Sequence, residues 1–206
     1  MSDVEEDQSQ ENQPGEVLTV SYERLRHSTN AEVLSQLARR DLPDRADNAA
    51  FSRATALLEA IAGNEHTPVE DRVYLAESMP FPNILVKLSK DPDPVVRRAV
   101  AANTNDKNWL AGLLTKDPDQ GVRAAALTNP MTSWKMRLEG AENADTDAQT
   151  LDHLGKLGVE IEPKAPVVLA AMVRRAVALN PSTSPETIER LKSDQERHVA
   201  TAAASR

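Results

Sequence analysis

Two stretches of this chain repeat one another at a spacing of 26 residues. The segment from Ile84, ILVKLSKDPDPVVRRAVAAN, matches the segment from Leu110, LAGLLTKDPDQGVRAAALTN. The shift superposes Leu88 on Leu114, Asp91 on Asp117, Pro92 on Pro118 and Asp93 on Asp119, then Val96 on Val122, Arg97 on Arg123 and Asn103 on Asn129. A third copy starts at Val173 (VRRAVALNPSTSPETIERL), and 26 residues later comes Val199, within HVATAAAS (198–205), which reads as a frayed copy. The 51 residues between Val122 and Val173 are close to two periods, so a degenerate copy is expected inside 140–166. Self-similarity at a short fixed period is the mark of a repeat architecture.

Each copy decodes as short helices. Val96, Ala99 and Val100 fall at i, i+3 and i+4, as do Val122, Ala125 and Ala126, giving one apolar stripe per helix. Ile84, Leu85 and Leu88, then Leu110, Leu113 and Leu114, supply a second helix in each copy. Asp93 before Pro94 reads as N-cap and first helical residue. Thr67 with Glu70, and Thr183 with Glu186, fit a capping box. Asn64, Asn103, Asn129 and Asn180 stand where helices should end, in the left-handed conformation that Asn tolerates. Thr55–Ala62 and Val69–Ser78 read as the helices of an earlier copy, Ser28–Arg40 as a half-copy or cap, and Asp41–Asn48 as a polar connection. Polar residues at Gly140–Asp147 and an irregular patch at Val159–Pro166 interrupt the pattern. Helices this short are marginal alone, so the copies must stack. The expected fold is all-α: an α-solenoid of short two-helix repeats.

Composition agrees. Aromatics are 3 % of residues, which disfavours sandwiches and barrels. Cysteine is absent, excluding disulfides, thiolate metal sites and cysteine nucleophiles. The net charge of −8 is unevenly placed: residues 1–16 hold Asp3, Glu5, Glu6, Asp7, Glu11 and Glu16 with no base, leaving 26 acids against 24 bases elsewhere. That tail is expected to be disordered. It has no secretory character, no run reaches membrane-spanning length, and a cytoplasmic location is expected. The expected organisation is therefore a tail at 1–16, helices and repeats over 17–140, a degenerate copy or linker at 141–165, and further repeats over 166–206.

The phrase Asp-Pro-Asp-Pro-Val-Val-Arg-Arg-Ala-Val-Ala-Ala-Asn (91–103), with Asn-Pro-Ser-Thr-Ser-Pro-Glu-Thr-Ile-Glu-Arg-Leu (180–191), resembles the leucine-rich repeat variant family, which is related to HEAT repeats. The resemblance covers about residues 64–140 and 166–206. It implies a right-handed superhelix of helix pairs, the second helix often 3₁₀, and a scaffold rather than a chemistry. Some members carry an iron–sulfur cluster on cysteines, which this chain lacks. A HEAT-like acid–arginine ladder is implied by Asp91 six before Arg97 and Asp117 six before Arg123. Asp194 is followed six later by Ala200, where the ladder should break.

Arg97, Arg123 and Arg174 recur at one repeat position, with Arg98 and Arg175 beside two of them. The first two are expected to pair with Asp91 and Asp117, while Arg98 and Arg175 face away from the valine stripe and are expected to be solvated or free to bind a partner. Trp109 and Trp134 are core fillers by composition and binding anchors by residue type; Tyr22, Phe51, Tyr74 and Phe81 are expected in the core. No catalytic grouping, phosphate loop or zinc motif occurs. Asn143, Asp145 and Asp147 alternate like the start of a calcium loop, but Ala148 and Leu154 stand where it needs Gly and Glu. No cofactor or metal is expected. The function expected is a non-enzymatic scaffold for a protein partner, with nucleic-acid binding through the recurrent arginines as the alternative. The low isoelectric point, about 5.1, weighs against the latter.

Overall fold

The computed structural model describes residues 16–105 and 109–206, and over these the chain is all-helical, with thirteen helices, no strand and one isolated bridge between Leu157 and Ile161. The contact pattern divides the chain into two compact units between Leu75 and Ala76. The expectation for 1–16 lies outside the described residues except at Glu16, whose carboxylate accepts from Ser21 Oγ at 2.6 Å and pairs with Arg24 at 2.8 Å.

The N-terminal unit holds α1 (Leu18–Arg26), α2 (Ala31–Ala38), α3 (Asn48–Ala62) and the first turns of α4 (Val69–Ser78). Asn30 caps α2 by accepting from Val33 N, and Asp47 caps α3 by accepting from Ala50 N. These caps satisfy amides that would otherwise have no helical partner. Both α1 and α2 pack on α3, burying Leu25, Leu34, Ala38, Leu58 and Ile61. Each fully buried leucine or isoleucine contributes about 1.5–3 kcal/mol.

The second unit continues with α5 (Pro82–Leu88), α6 (Pro94–Ala102), α7 (Leu110–Leu114), α8 (Gln120–Thr128) and α9 (Trp134–Glu142). It ends with α10 (Ala148–Leu154), α11 (Val167–Leu179), α12 (Pro185–Lys192) and α13 (Arg197–Ala204). Asp93, Asp119, Ser133, Asp147 and Ser184 are side-chain N-caps, and proline opens α5, α6 and α12. α6 packs on α8, α9 on α11 and α11 on α13. The valine stripe is buried, with Val96, Val100, Val122 and Val199 at 0 % exposure, and so are Ile84, Leu85 and Leu88. Leu113 departs from the expected stripe and is exposed. Residues 141–165 add Leu151, Leu154 and Leu157 to the core cluster that holds Val173, Val177, Leu191 and Val199. Gly140 lies against Leu127, closer than a Cβ could come, which lets α9 abut α8.

Two local expectations are corrected. Asn103, Asn129 and Asn180 are extended (φ between −62° and −72°), not left-handed. Each has its side chain committed instead: Oδ1 accepts from the amide two residues on, closing a small turn. Thr67 and Thr183 are not N-caps. Their hydroxyls donate back to Ile61 O and Val177 O, as Thr132 does to Ala126 O and Thr146 to Gly140 O, and the cap of α12 is Ser184.

The asparagines and threonines set a longer correspondence. Thr67, Arg72 and Ala76 match Thr132, Arg137 and Ala141 at a shift of 65; Arg97, Asn103, Asp117 and Val122 match Arg174, Asn180, Asp194 and Val199 at a shift of 77. α4–α8 thus correspond to α9–α13, and the 12 extra residues lengthen the α10–α11 connection and the start of α11. The 51-residue gap holds α9 and α10, the counterparts of α4 and α5.

Candidate interaction surface

The asparagines tie one helix end to the next. Asn129 Nδ2 donates to Ala101 O at 2.6 Å and Asn103 O at 2.9 Å; Asn180 Nδ2 donates to Ala141 O at 2.7 Å and Asn143 O at 2.8 Å. Asn103 donates to Ala76 O at 2.7 Å, and Asn64, in the N-terminal unit, to Leu25 O and Ser28 O. These buried amides satisfy the free carbonyls that every helix C-terminus leaves. Arg206, 26 residues after Asn180, takes the same part by donating to Asn180 O.

Six residues before Asn103, Asn129, Asn143 and Asn180 stand Arg97, Arg123, Arg137 and Arg174. Arg97 Nε and Nη2 grip both oxygens of Asp117 at 2.8 and 2.9 Å, while Nη1 donates to Asp91 O and Pro92 O. Arg174 grips Asp194 at 2.7 and 3.0 Å and donates to Leu157 O. The carboxylate partner therefore stands twenty residues after the arginine, not six before it. Asp91 and Asp117 use a carboxylate oxygen to cap the amides of Asp93 and Asp119, so the arginine six residues on meets their backbone carbonyls. Because of this offset the rung at Asp194, expected to break, is intact. Arg123 lacks one: twenty residues on stands the exposed Asn143, and its recorded bonds go to Asp117 O and Pro118 O. Burial works against the charge of Asp117, but the Arg97 hydrogen bond, the Asp119 amide and the two nearby guanidinium groups outweigh it and hold its pKa below the ordinary value.

Sequence reasoning missed Arg137, although its place six before Asn143 was the available signal. It is 1 % exposed, grips Glu162 at 2.8 and 3.1 Å, donates to Asn129 O and lies 4.8 Å over the Trp134 ring. Glu162 has φ 50°, a left-handed conformation uncommon outside glycine. Trp134 is half-buried and packs against the core cluster. Trp109 is 60 % exposed and Tyr74 36 %, against the expectation of core positions; Tyr22, Phe51 and Phe81 are half-buried. With few aromatics to place, leucine, valine and alanine fill the interior.

One residue further along the helix, about 100° around its axis, the side chain turns outward. Arg98 and Arg175 occupy that position and are exposed, with no ion pair or hydrogen bond recorded among the described residues. Arg98 passes over Gly121, its Cδ 3.8 Å from where a Cβ would stand. Arg175 borders a hollow of about 230 Å³ between α9 and α11, lined by Leu138, Glu142, Met172 and Leu179 among others. Met172 and Leu179 are 44 % and 46 % exposed, so an unpaired cation lies among accessible apolar side chains. Trp109 stands just ahead of α7, as its N-cap residue. The structure thus separates the seven candidates into ion-paired ties (Arg97, half-buried, and Arg174, buried), a turn brace (Arg123), a core-packed ring (Trp134) and three exposed groups (Arg98 on α6, Arg175 on α11, and Trp109 at the start of α7).

Among the described residues no group of three or more His, Asp or Glu is placed to hold a metal ion. Asn143 closes its own turn and Asp147 caps α10, which accounts for their alternation. No described helix is long and apolar enough to cross a membrane. The fold class that the coordinates define is an all-helical chain with a recurrent helix-end tie. No family model, no curated protein and no solved structure matches it.

Proposed function

We propose that this chain is a non-enzymatic scaffold, acting in the cytoplasm, whose copies stack as a right-handed α-solenoid of the leucine-rich repeat variant or HEAT-like kind and present a surface to a protein partner. The observation that carries the reading is the recurrent asparagine tie. Each asparagine reaches into the carbonyls of a preceding helix end, the nearest-neighbour coupling on which a stack of short repeats depends. Arg175 among Met172, Leu179 and Leu138 supplies the mixture of one free cation and accessible apolar surface that suits a protein partner. Nucleic acid is the weaker reading, because Arg97, Arg123 and Arg174 have donors committed within the chain and only Arg98 and Arg175 of the recurrent set stay open.

A photo-crosslinking side chain at Leu179 tests this in native lysate. The same protein should be captured repeatedly, and Arg175→Glu should abolish capture while leaving the unfolding midpoint unchanged. Equal capture by Arg175→Glu, or no reproducible product, overturns the reading. Steeply salt-dependent binding to duplex DNA would favour nucleic acid instead.

A further inference from the structure

The N-terminal unit contains a cleft of about 1060 Å³, far larger than the hollow beside Arg175. Its apolar walls include Val33 and Leu37 on α2, Leu42 beyond it, and Leu57 on α3, all half-buried. The basic groups lining it are Arg24, His27, Arg40 and Arg53, carried by α1, the connection after α2, and α3; the lone acid is Asp41. Arg40 is exposed, with no ion pair recorded. Arg53 donates to Ser21 Oγ at 2.7 Å, and Arg24 already pairs with a carboxylate, that of Glu16, at 2.8 Å.

We propose that this cleft binds an acidic amphipathic helix of a partner protein. Three features select that occupant. The volume is that of about two to three helical turns, taking a cylinder about 10 Å across. The half-buried leucine and valine side chains line a groove in which anchors at i, i+3 or i+4 and i+7 can insert. The arginines stand on three separate elements, which suits several carboxylates along a peptide better than the single head group of a small amphiphile. Glu16 on Arg24 shows the ion pair that such a helix would repeat at Arg40 and Arg53. The proposal goes beyond the scaffold reading: it uses a different unit and none of the residues around Arg175.

The test uses the full chain and a labelled 18-residue peptide with leucines at i, i+3/i+4 and i+7 and glutamates on the flanking positions, followed by fluorescence anisotropy. Saturable binding is expected, weakened about three- to tenfold by Arg40→Glu and by raising salt, and unchanged by Arg175→Glu. Leu37→Asp should abolish it, with the circular-dichroism melt run alongside; Arg40→Glu, at an exposed side chain, carries the test if Leu37→Asp unfolds. Four results would overturn the proposal: no binding, equal binding of a peptide with lysine in place of glutamate, indifference to Arg40→Glu, or binding of free dodecanoate but not of the peptide. Binding only after removal of residues 1–15 would assign the cleft to the chain's own acidic segment and overturn it equally. Because Arg175→Glu is the silent control here and the disruptive variant for the scaffold surface, either reading can fail without the other.

Discussion

Arg97 reaches twenty residues forward to Asp117 and makes with it the two-pronged ion pair that Arg174 makes with Asp194, 77 residues along the chain. The two rungs differ in burial: the side chains are 2 % and 4 % exposed at Arg174–Asp194 but 14 % and 5 % at Arg97–Asp117. Both pairs are bidentate, and each arginine also donates to a backbone carbonyl, so the pairs fix the register of the helices they join.

Removing one partner of the more buried rung leaves a charge with no counterion. Asp194→Asn or Arg174→Met should cost about 3–5 kcal/mol in denaturant unfolding, and the double variant Arg174→Met/Asp194→Asn much less than the sum. Asp117→Asn should cost less than Asp194→Asn. Additive single losses would contradict the pairing.

The asparagine tie makes a sharper chemical prediction. Asn129→Asp keeps the shape and the acceptor for Met131 N but aims an acceptor at Ala101 O and Asn103 O, so it should destabilise more than Asn129→Ala, itself worth about 1–3 kcal/mol. Chemical denaturation of the two variants checks the order.

Acid should weaken the second unit in a defined window. Burial disfavours the charge of Asp152, but hydrogen bonds from Lys156, Arg190 and Thr187 outweigh it and bring its pKa to about 2. An unfolded aspartate titrates near about 3.9, so the contribution is complete above that value and is lost as pH falls towards 2. Asp152→Asn should flatten the acid limb of a stability–pH profile between those limits. His153 acts at higher pH. Burial first, then Arg137, lowers its pKa, so its contribution is complete above about 6.5 and declines as pH falls below that. His153→Gln should remove this upper slope.

Gly140 tests the α8–α9 contact. Gly140→Ala inserts a methyl where Leu127 stands and should cost about 1–3 kcal/mol despite alanine's better helix propensity. Pairing it with Leu127→Ala makes room for the methyl, so the two losses should not add. A thermal melt showing that Gly140→Ala stabilises the chain would refute the close approach.

The period, the valine-bearing helices and the Asp93 cap could be read from one dimension. Val96 and Val122 stand at the spacing that buries them, a consequence of the 3.6-residue turn, and Asp93 before Pro94 caps and opens α6 through local backbone geometry. Val69–Ser78 was legible to the residue for the same reason. The correspondence of α4–α8 with α9–α13 was hidden, because twelve residues inserted ahead of Arg174 change the shift from 65 to 77 partway along.

What each polar side chain touches was decided only when the chain closed up. Asn129 could have ended its helix locally, and Asp91 could have met Arg97; instead one donates to a helix end 28 residues back and the other presents its carbonyl. Spacing along a sequence determines which face of a helix a residue occupies, and so it placed the valines inside and Arg98 and Arg175 outside. A guanidinium or an amide chooses among all acceptors within about 3 Å, and those come from helices far apart in the sequence, so Arg137, Trp109 and the cleft beside Arg40 became visible only in three dimensions.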